Sequence, residues 1–188
     1  GVVTVSRAAG TAVLPAKFTL ISAMNPCPCG NYGSGKDACI CAPYSILKYR
    51  KKISGPLLDR IDIQINVPRE TLDSEEKSEA LKNDEISRNL MVFKNIKAQI
   101  ALARDIQNKR FKGAKIFTNS EISYKNIDKY CPIETKAENL LRKSINLKNL
   151  SLRAYHRIKK LSRTIADLTG SELIKENHIA EAINLRVN

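Results

Sequence analysis

"SLRAYHRIKKLSRTIADLTG", residues 151–170, decides what kind of fold this chain adopts. Leu152, Tyr155, Ile158, Leu161, Ile165 and Leu168 recur every three or four residues, the period of one helical face. Ser151 stands where a side-chain oxygen can take a free amide of the first turn, and Gly170 where a helix ends in a left-handed residue. Arg153, Arg157, Lys160 and Thr164 fall on a different face, which is therefore basic. Such a stripe is ordinarily solvated surface.

The helical period extends outward from this segment. "KENHIAEAINLR" reads as one more helix after it. Before it, "PIETKAENLLRKSINL" starts near Pro132, a residue suited to a first turn, and "NSEISYKNIDKY" reads as a shorter helix capped by Asn119 or Ser120. Ile86, Leu90, Phe93, Ile96 or Lys97, Ile100, Ala103 and Ile106 describe one long amphipathic helix to about Asn108. Residues 86–188 are thus a helical domain of four to five helices. Residues 69–85, "RETLDSEEKSEALKNDE", are polar without aromatics and read as a linker.

Residues 1–68 carry the β signal. "VVTVSR" and "TAVLPA" form a hairpin over residues 2–15 that turns at Gly10. "KFTLISAM" is an apolar run suited to a buried central strand, and "IDIQINVP" is a second strand with Ile61, Ile63, Ile65 and Val67 alternating. "SILKYRKKISGPLLDR" between them reads as a short helix, a Gly-Pro break and a helical turn. The fold class is α+β, mainly α.

Four of the five cysteines lie in "MNPCPCGNYGSGKDACICAP", as Cys-x-Cys, nine residues, and Cys-x-Cys. Cys27, Cys29, Cys39 and Cys41 can supply the four soft ligands that zinc takes in a tetrahedron, with three glycines in the connecting loop to let it fold back. Four cysteines would close the coordination sphere, so the metal would be structural. Cys-x-Cys is tighter than the usual Cys-x-x-Cys knuckle, and buried free thiols or a redox pair remain as other readings. Cys131 stands alone and reads as a small core residue.

A chain of 188 residues with 43% hydrophobic content suits one domain of ordinary size or two small ones. It has no apolar run of membrane-spanning length, and "GVVTVSRAAG" lacks the build of a signal peptide, so the expected location is the cytoplasm. There a disulfide framework is disfavoured. The net charge of +13 favours a polyanionic partner, nucleic acid before membrane, against the plainer reading of a basic surface.

Three stretches together, "FTLISAMNPCPCG", "SGPLLDRIDI" and "LSLRAYHRIKKLSRTIADLTGSE", resemble the C-terminal part of the magnesium-chelatase-like AAA+ ATPases of the ComM or YifB, competence-associated type. The resemblance spans nearly the whole chain and weakens over residues 70–130. No G-x-x-x-x-G-K-[ST] phosphate loop and no apolar strand ending in an Asp-Glu pair is found, so the resemblance implies a fragment: the back of an ATPase core and its helical lid.

The resemblance also implies roles. Asn25, at the end of "FTLISAMN", would be the sensor-1 residue, its amide able to accept from a water and donate to a phosphate; a turn-capping Asn is the plainer reading. Arg60 in "LLDRID" would be an arginine finger reaching a neighbouring subunit's nucleotide, unless it simply pairs with Asp59 or Asp62. Arg153 would be the sensor-2 arginine. Arg7, near the hairpin tip, would touch DNA in a central pore, against a plain surface turn.

For the full-length parent the resemblance implies ATP and Mg²⁺ as cofactors, DNA as partner, self-assembly into a hexameric ring, and helicase or branch-migration work in DNA uptake and recombination. The fragment alone would be inactive. Two other readings stay open: a chelatase-type subunit that helps insert metal into a porphyrin, and a zinc-stabilised nucleic-acid-binding module without motor function.

Overall fold

Val2–Arg7 (β1) and Gly10–Pro15 (β2) pair antiparallel, with Val3 opposite Leu14, Val5 opposite Ala12 and Arg7 opposite Gly10. Ala8 and Ala9 make the turn, and Gly10 takes the backbone value a side chain would resist, φ 141°. The computed structural model describes residues 1–33, 39–67 and 79–186, with side chains of the long helix described from residue 88. The chain divides into two compact units, Gly1–Lys52 and Ile53–Asn188.

In the first unit the hairpin is followed by chain without regular secondary structure, the cysteine segment and helix α1 (Pro43–Arg50). Pro43 opens α1 at a position where its missing amide costs nothing. Residues 17–24 correct the sequence expectation: they form no strand, and Phe18 is 77% and Ile21 91% exposed. Residues 61–67 in the second unit are corrected in the same way, with Ile65 68% exposed. Both runs have strand chemistry, but a strand exists only by pairing. Among the described residues the one sheet is β1 with β2.

The second unit, Ile53–Asn188, holds the helices expected from the period after residue 86 and begins earlier, with the segment that carries α2 (Gly55–Leu58). It also contains α3 (Glu79–Arg110), α4 (Ile127–Tyr130), α5 (Thr135–Leu147), α6 (Leu152–Leu168) and α7 (Glu176–Asn184). The expected linker lies outside the described residues up to 78 and is helix from Glu79. "NSEISYKNIDKY" is corrected from one helix to two 3₁₀ turns, Asn119–Glu121 and Tyr124–Asn126, followed by the single turn of α4. In α3 the stripe meets the core only at its end, where Ala103, Gln107 and Phe111 are buried, while Leu90, Phe93 and Ile100 are exposed.

The core gathers Phe111, Ile122, Ile127, Leu141, Ile158, Ile165, Ile174 and Ile179, with Cys131 among them as expected. Burial pushes the Cys131 thiol up to about 11, so it is a neutral, inert group. Helix α6 runs through the middle of this core. Its start is capped by Ser151, whose hydroxyl accepts from the Ala154 amide at 3.1 Å. Its end is a Schellman closure: Gly170 at φ 69° lets Ser171 N donate to Ala166 O (2.8 Å) and Gly170 N to Asp167 O (3.2 Å).

The buried face of α6 differs from the expected one. Leu152 and Leu168 are exposed, whereas Arg163 and Asp167 are buried among Ile158, Ser162, Ile165 and Ala166. Charge can be buried here because it is fully partnered. Asp167 accepts from Arg110 through both oxygens, from Arg163 Nε (3.0 Å), from Asn119 Nδ2 (2.8 Å) and from Gln107 Nε2 (3.3 Å). Arg163 spends its remaining donors on the carbonyls of Ser171 and Glu172. These bonds join the end of α3, the first 3₁₀ turn and the loop after α6 to one helix.

Candidate functional site

The cysteine segment brings four sulfurs together. Cys27 Sγ lies 3.3 Å from Cys29 Sγ and 3.7 Å from Cys39 Sγ, Cys29 and Cys39 are 3.6 Å apart, and all four sulfurs fall within 4.8 Å of one another. None is in a disulfide. A tetrahedron with metal–sulfur bonds of about 2.3 Å has sulfur–sulfur edges of about 3.8 Å, so the cluster has the dimensions of a four-thiolate zinc site. Residues 34–38 of the intervening loop lie outside the described residues.

Electrostatics point the same way. Cys29 is drawn down to about 6 by the Asn31 backbone amide and then by the Cys27 thiol, against the effect of burial. Cys41 is held by the Cys29 amide, yet burial and the sulfurs of Cys29, Cys27 and Cys39 push it up to about 12. Four thiols this close cannot all ionise side by side without a cation. Arg50 steadies the segment from α1, donating through Nε to Pro26 O at 3.2 Å with its guanidinium over the Tyr32 ring.

The other two sequence candidates in this unit are exposed. Asn25 precedes the cysteines on the irregular segment, and Arg7 ends β1 at the edge of the turn. Neither is part of the sulfur cluster.

In the second unit Arg60 follows α2. Its Nη1 donates to Pro56 O at 2.6 Å, and the simple pairing with Asp59 or Asp62 is not what the structure has. Asp59 Oδ1 instead accepts from Arg186 Nη2 at 3.0 Å and Asp62 Oδ1 from Arg157 Nη1 at 2.6 Å. Arg153 is exposed in the first turn of α6, one turn before Arg157, and has no ion-pair partner among the described residues. Of the basic face, Arg157 reaches Asp62 and Lys160 donates to Ser120 O at 3.0 Å, so it is only partly free surface.

Arg186 and the Arg163–Asp167 pair are functional or structural groups that the sequence reading passed over. Their partners, Asp59 for Arg186 and Arg110 for Asp167, are remote in sequence. The visible local signal was the Arg163–Asp167 spacing of four residues.

The family model described as magnesium chelatase, subunit ChlI, matches residues 1–75, and that described as magnesium chelatase, subunit ChlI C-terminal, matches residues 93–186. The chain is 37% identical over 186 residues to "Competence protein ComM" of Haemophilus influenzae, 99% of this chain and 34% of that protein. Over the same length it is 30% identical to the uncharacterized protein YifB of Escherichia coli and 31% identical to YifB of Salmonella typhimurium, with the same coverage. The chain therefore spans about a third of the length of these relatives.

Proposed function

The chain belongs to the magnesium-chelatase ChlI family, in its ComM/YifB-like branch, and from that membership we propose that it is the sensor and lid portion of a DNA-acting AAA+ motor. In this reading ATP and Mg²⁺ bind in the part of the protein outside this chain, subunits assemble as a hexameric ring, and each supplies Arg60 to its neighbour's γ-phosphate. Asn25 orients the attacking water and Arg153 acts as the sensor-2 arginine. Arg7 grips DNA phosphate without regard to sequence.

The observation that carries the reading is the state of Arg60. Both nearby carboxylates, Asp59 and Asp62, are engaged by other arginines, and among the described residues the Arg60 guanidinium donates only to the Pro56 carbonyl. A permanently charged planar donor in that state is suited to phosphate oxygens. The test is steady-state ATP hydrolysis by the full-length protein carrying Arg60→Ala or Arg153→Ala. The finger reading expects Arg60→Ala to lower kcat by at least about 10³-fold, and unchanged hydrolysis would remove it.

Zinc on Cys27, Cys29, Cys39 and Cys41 would be a closed structural centre that fixes the segment just after Asn25. The chelatase-type reading draws support from the family's own description, and the basic charge of the chain favours DNA over it. A passive zinc-stabilised binding module would have no use for Arg60 and Arg153. A relative named as a competence protein supports work on incoming DNA.

A further inference from the structure

Arg60 lies in a strip that two other arginines hold by its backbone. Arg186, at the end of α7 and 7% exposed, donates through Nη2 to the Asp59 carbonyl at 2.7 Å and carboxylate at 3.0 Å, and through Nη1 to the Ile61 carbonyl at 3.3 Å. Arg157 Nη1 donates to the Arg60 carbonyl and to the Asp62 carboxylate, each at 2.6 Å. Just beyond, Gln64 N donates to Leu185 O at 2.6 Å. The carbonyls of three successive residues and the carboxylates on both sides of Arg60 are therefore taken by two guanidinium groups. Arg60 itself, at the centre, gives only its carbonyl to the grip, while its side chain donates to the Pro56 carbonyl.

A simple staple would need no such arrangement around one residue. A flexible arginine can deliver charge to a remote phosphate only if its backbone is fixed, because misplacement of about 1 Å at a reacting centre can cost about 10²-fold in rate. Arg157 is also four residues from Arg153, on the same rigid helix.

We infer that Arg157 and Arg186 are positioning residues for Arg60, and that α6 joins the nucleotide-sensing Arg153 to the finger strip as one body. This rests on the reading of Arg60 and Arg153 above.

The experiment is steady-state ATP hydrolysis by the full-length protein, with kcat and KM measured for Arg60→Ala, Arg157→Ala, Arg157→Lys, Asp59→Asn and Asp62→Asn, and for the Arg60→Ala/Arg157→Ala pair. Thermal unfolding of each variant is followed in parallel. The inference expects Arg157→Ala and Asp62→Asn to lower kcat about 10- to 100-fold, with KM within about 2-fold and the unfolding midpoint little changed. Arg157→Lys recovers part of the loss, and the pair is no slower than Arg60→Ala alone.

Wild-type kcat in Arg157→Ala, Asp59→Asn and Asp62→Asn beside an impaired Arg60→Ala overturns the inference and leaves the finger reading standing. A raised KM at unchanged kcat overturns it too, by making Arg157 a nucleotide contact. Unchanged hydrolysis in Arg60→Ala removes the finger reading and this inference with it. Asp62 is more than half exposed, so its variant folds even if an arginine variant does not.

Discussion

Asp167 is the residue on which the helical unit is centred. Its two oxygens accept from Arg110, Arg163, Asn119 and Gln107, and its side chain has no contact with solvent. Burial alone would raise its pKa, but the Arg110 and Asn119 hydrogen bonds and the Arg163 charge hold the carboxyl below its ordinary 3.8. Replacing it by Ala leaves the Arg110 and Arg163 guanidinium groups without their shared carboxylate, and Asp167→Ala is expected to cost about 3–5 kcal/mol in denaturant unfolding.

His178 makes a second, separate pH limb. Its Nδ1 accepts from Lys175 N at 3.1 Å and its Nε2 lies 3.1 Å from the Thr169 hydroxyl, which donates to Ala166 O, so the ring is neutral with its proton on Nε2. Burial, then the charges of Arg163 and Lys175, keep its pKa below 6.5. A depressed histidine pKa means that the unfolded chain binds the proton more readily. Its contribution is whole above pH 6.5 and is lost as pH falls through the folded value, whereas that of Asp167 is whole above 3.8 and goes only at lower pH. Unfolding midpoints measured against pH are therefore expected to fall in two stages, and His178→Asn, which can still accept from Lys175, is expected to remove the upper one.

Among the elements, the cysteine segment carries the sharpest test. Sulfur spacings of 3.3–3.7 Å and opposed thiol pKa values describe a cluster that a divalent cation relieves. Purified protein is expected to hold about one zinc per chain by elemental analysis, and Cys29→Ser to hold well under one. Titration of four thiols in untreated native protein with no metal present would count against the site.

Helix α6 shows what could be read in advance and what could not. Ser151, Gly170 and the helical period were legible because caps and periodicity are local. So was the cysteine cluster, whose members are near in sequence. The burial of Arg163 and Asp167 was not, since a charged pair reads as surface unless its distant partners, Arg110 and Asn119, are known. The apolar runs at residues 17–24 and 61–67 were legible as strand chemistry but not as strands, because pairing is a tertiary fact. For the same reason Asp62–Arg157 and Asp59–Arg186, separated by 95 and 127 residues, could not be read from Arg60's neighbours.

At the scale of the whole molecule, charge is unevenly distributed. The first unit, Gly1–Lys52, has seven Lys/Arg against one Asp/Glu, and four of those cations fall within Lys48–Lys52. No helix among the described residues is long and apolar enough to cross a membrane. A unit with that balance attracts phosphate polyanions, and contacts of this kind release counterions and weaken as salt rises. In the proposed reading Arg7 and Asn25 belong to the first unit and Arg60 and Arg153 to the second, so a DNA contact and the nucleotide-sensing groups would draw on both units of one chain. A motor requires the two to be coupled.

The most direct test is steady-state ATP hydrolysis by the full-length protein, with and without single-stranded and forked DNA, across a range of salt. A DNA-acting motor predicts stimulation by DNA that fades as salt increases and is lost in Arg7→Ala. Hydrolysis indifferent to DNA at every salt concentration would contradict the account and favour a chelatase-type machine that works on a protein partner.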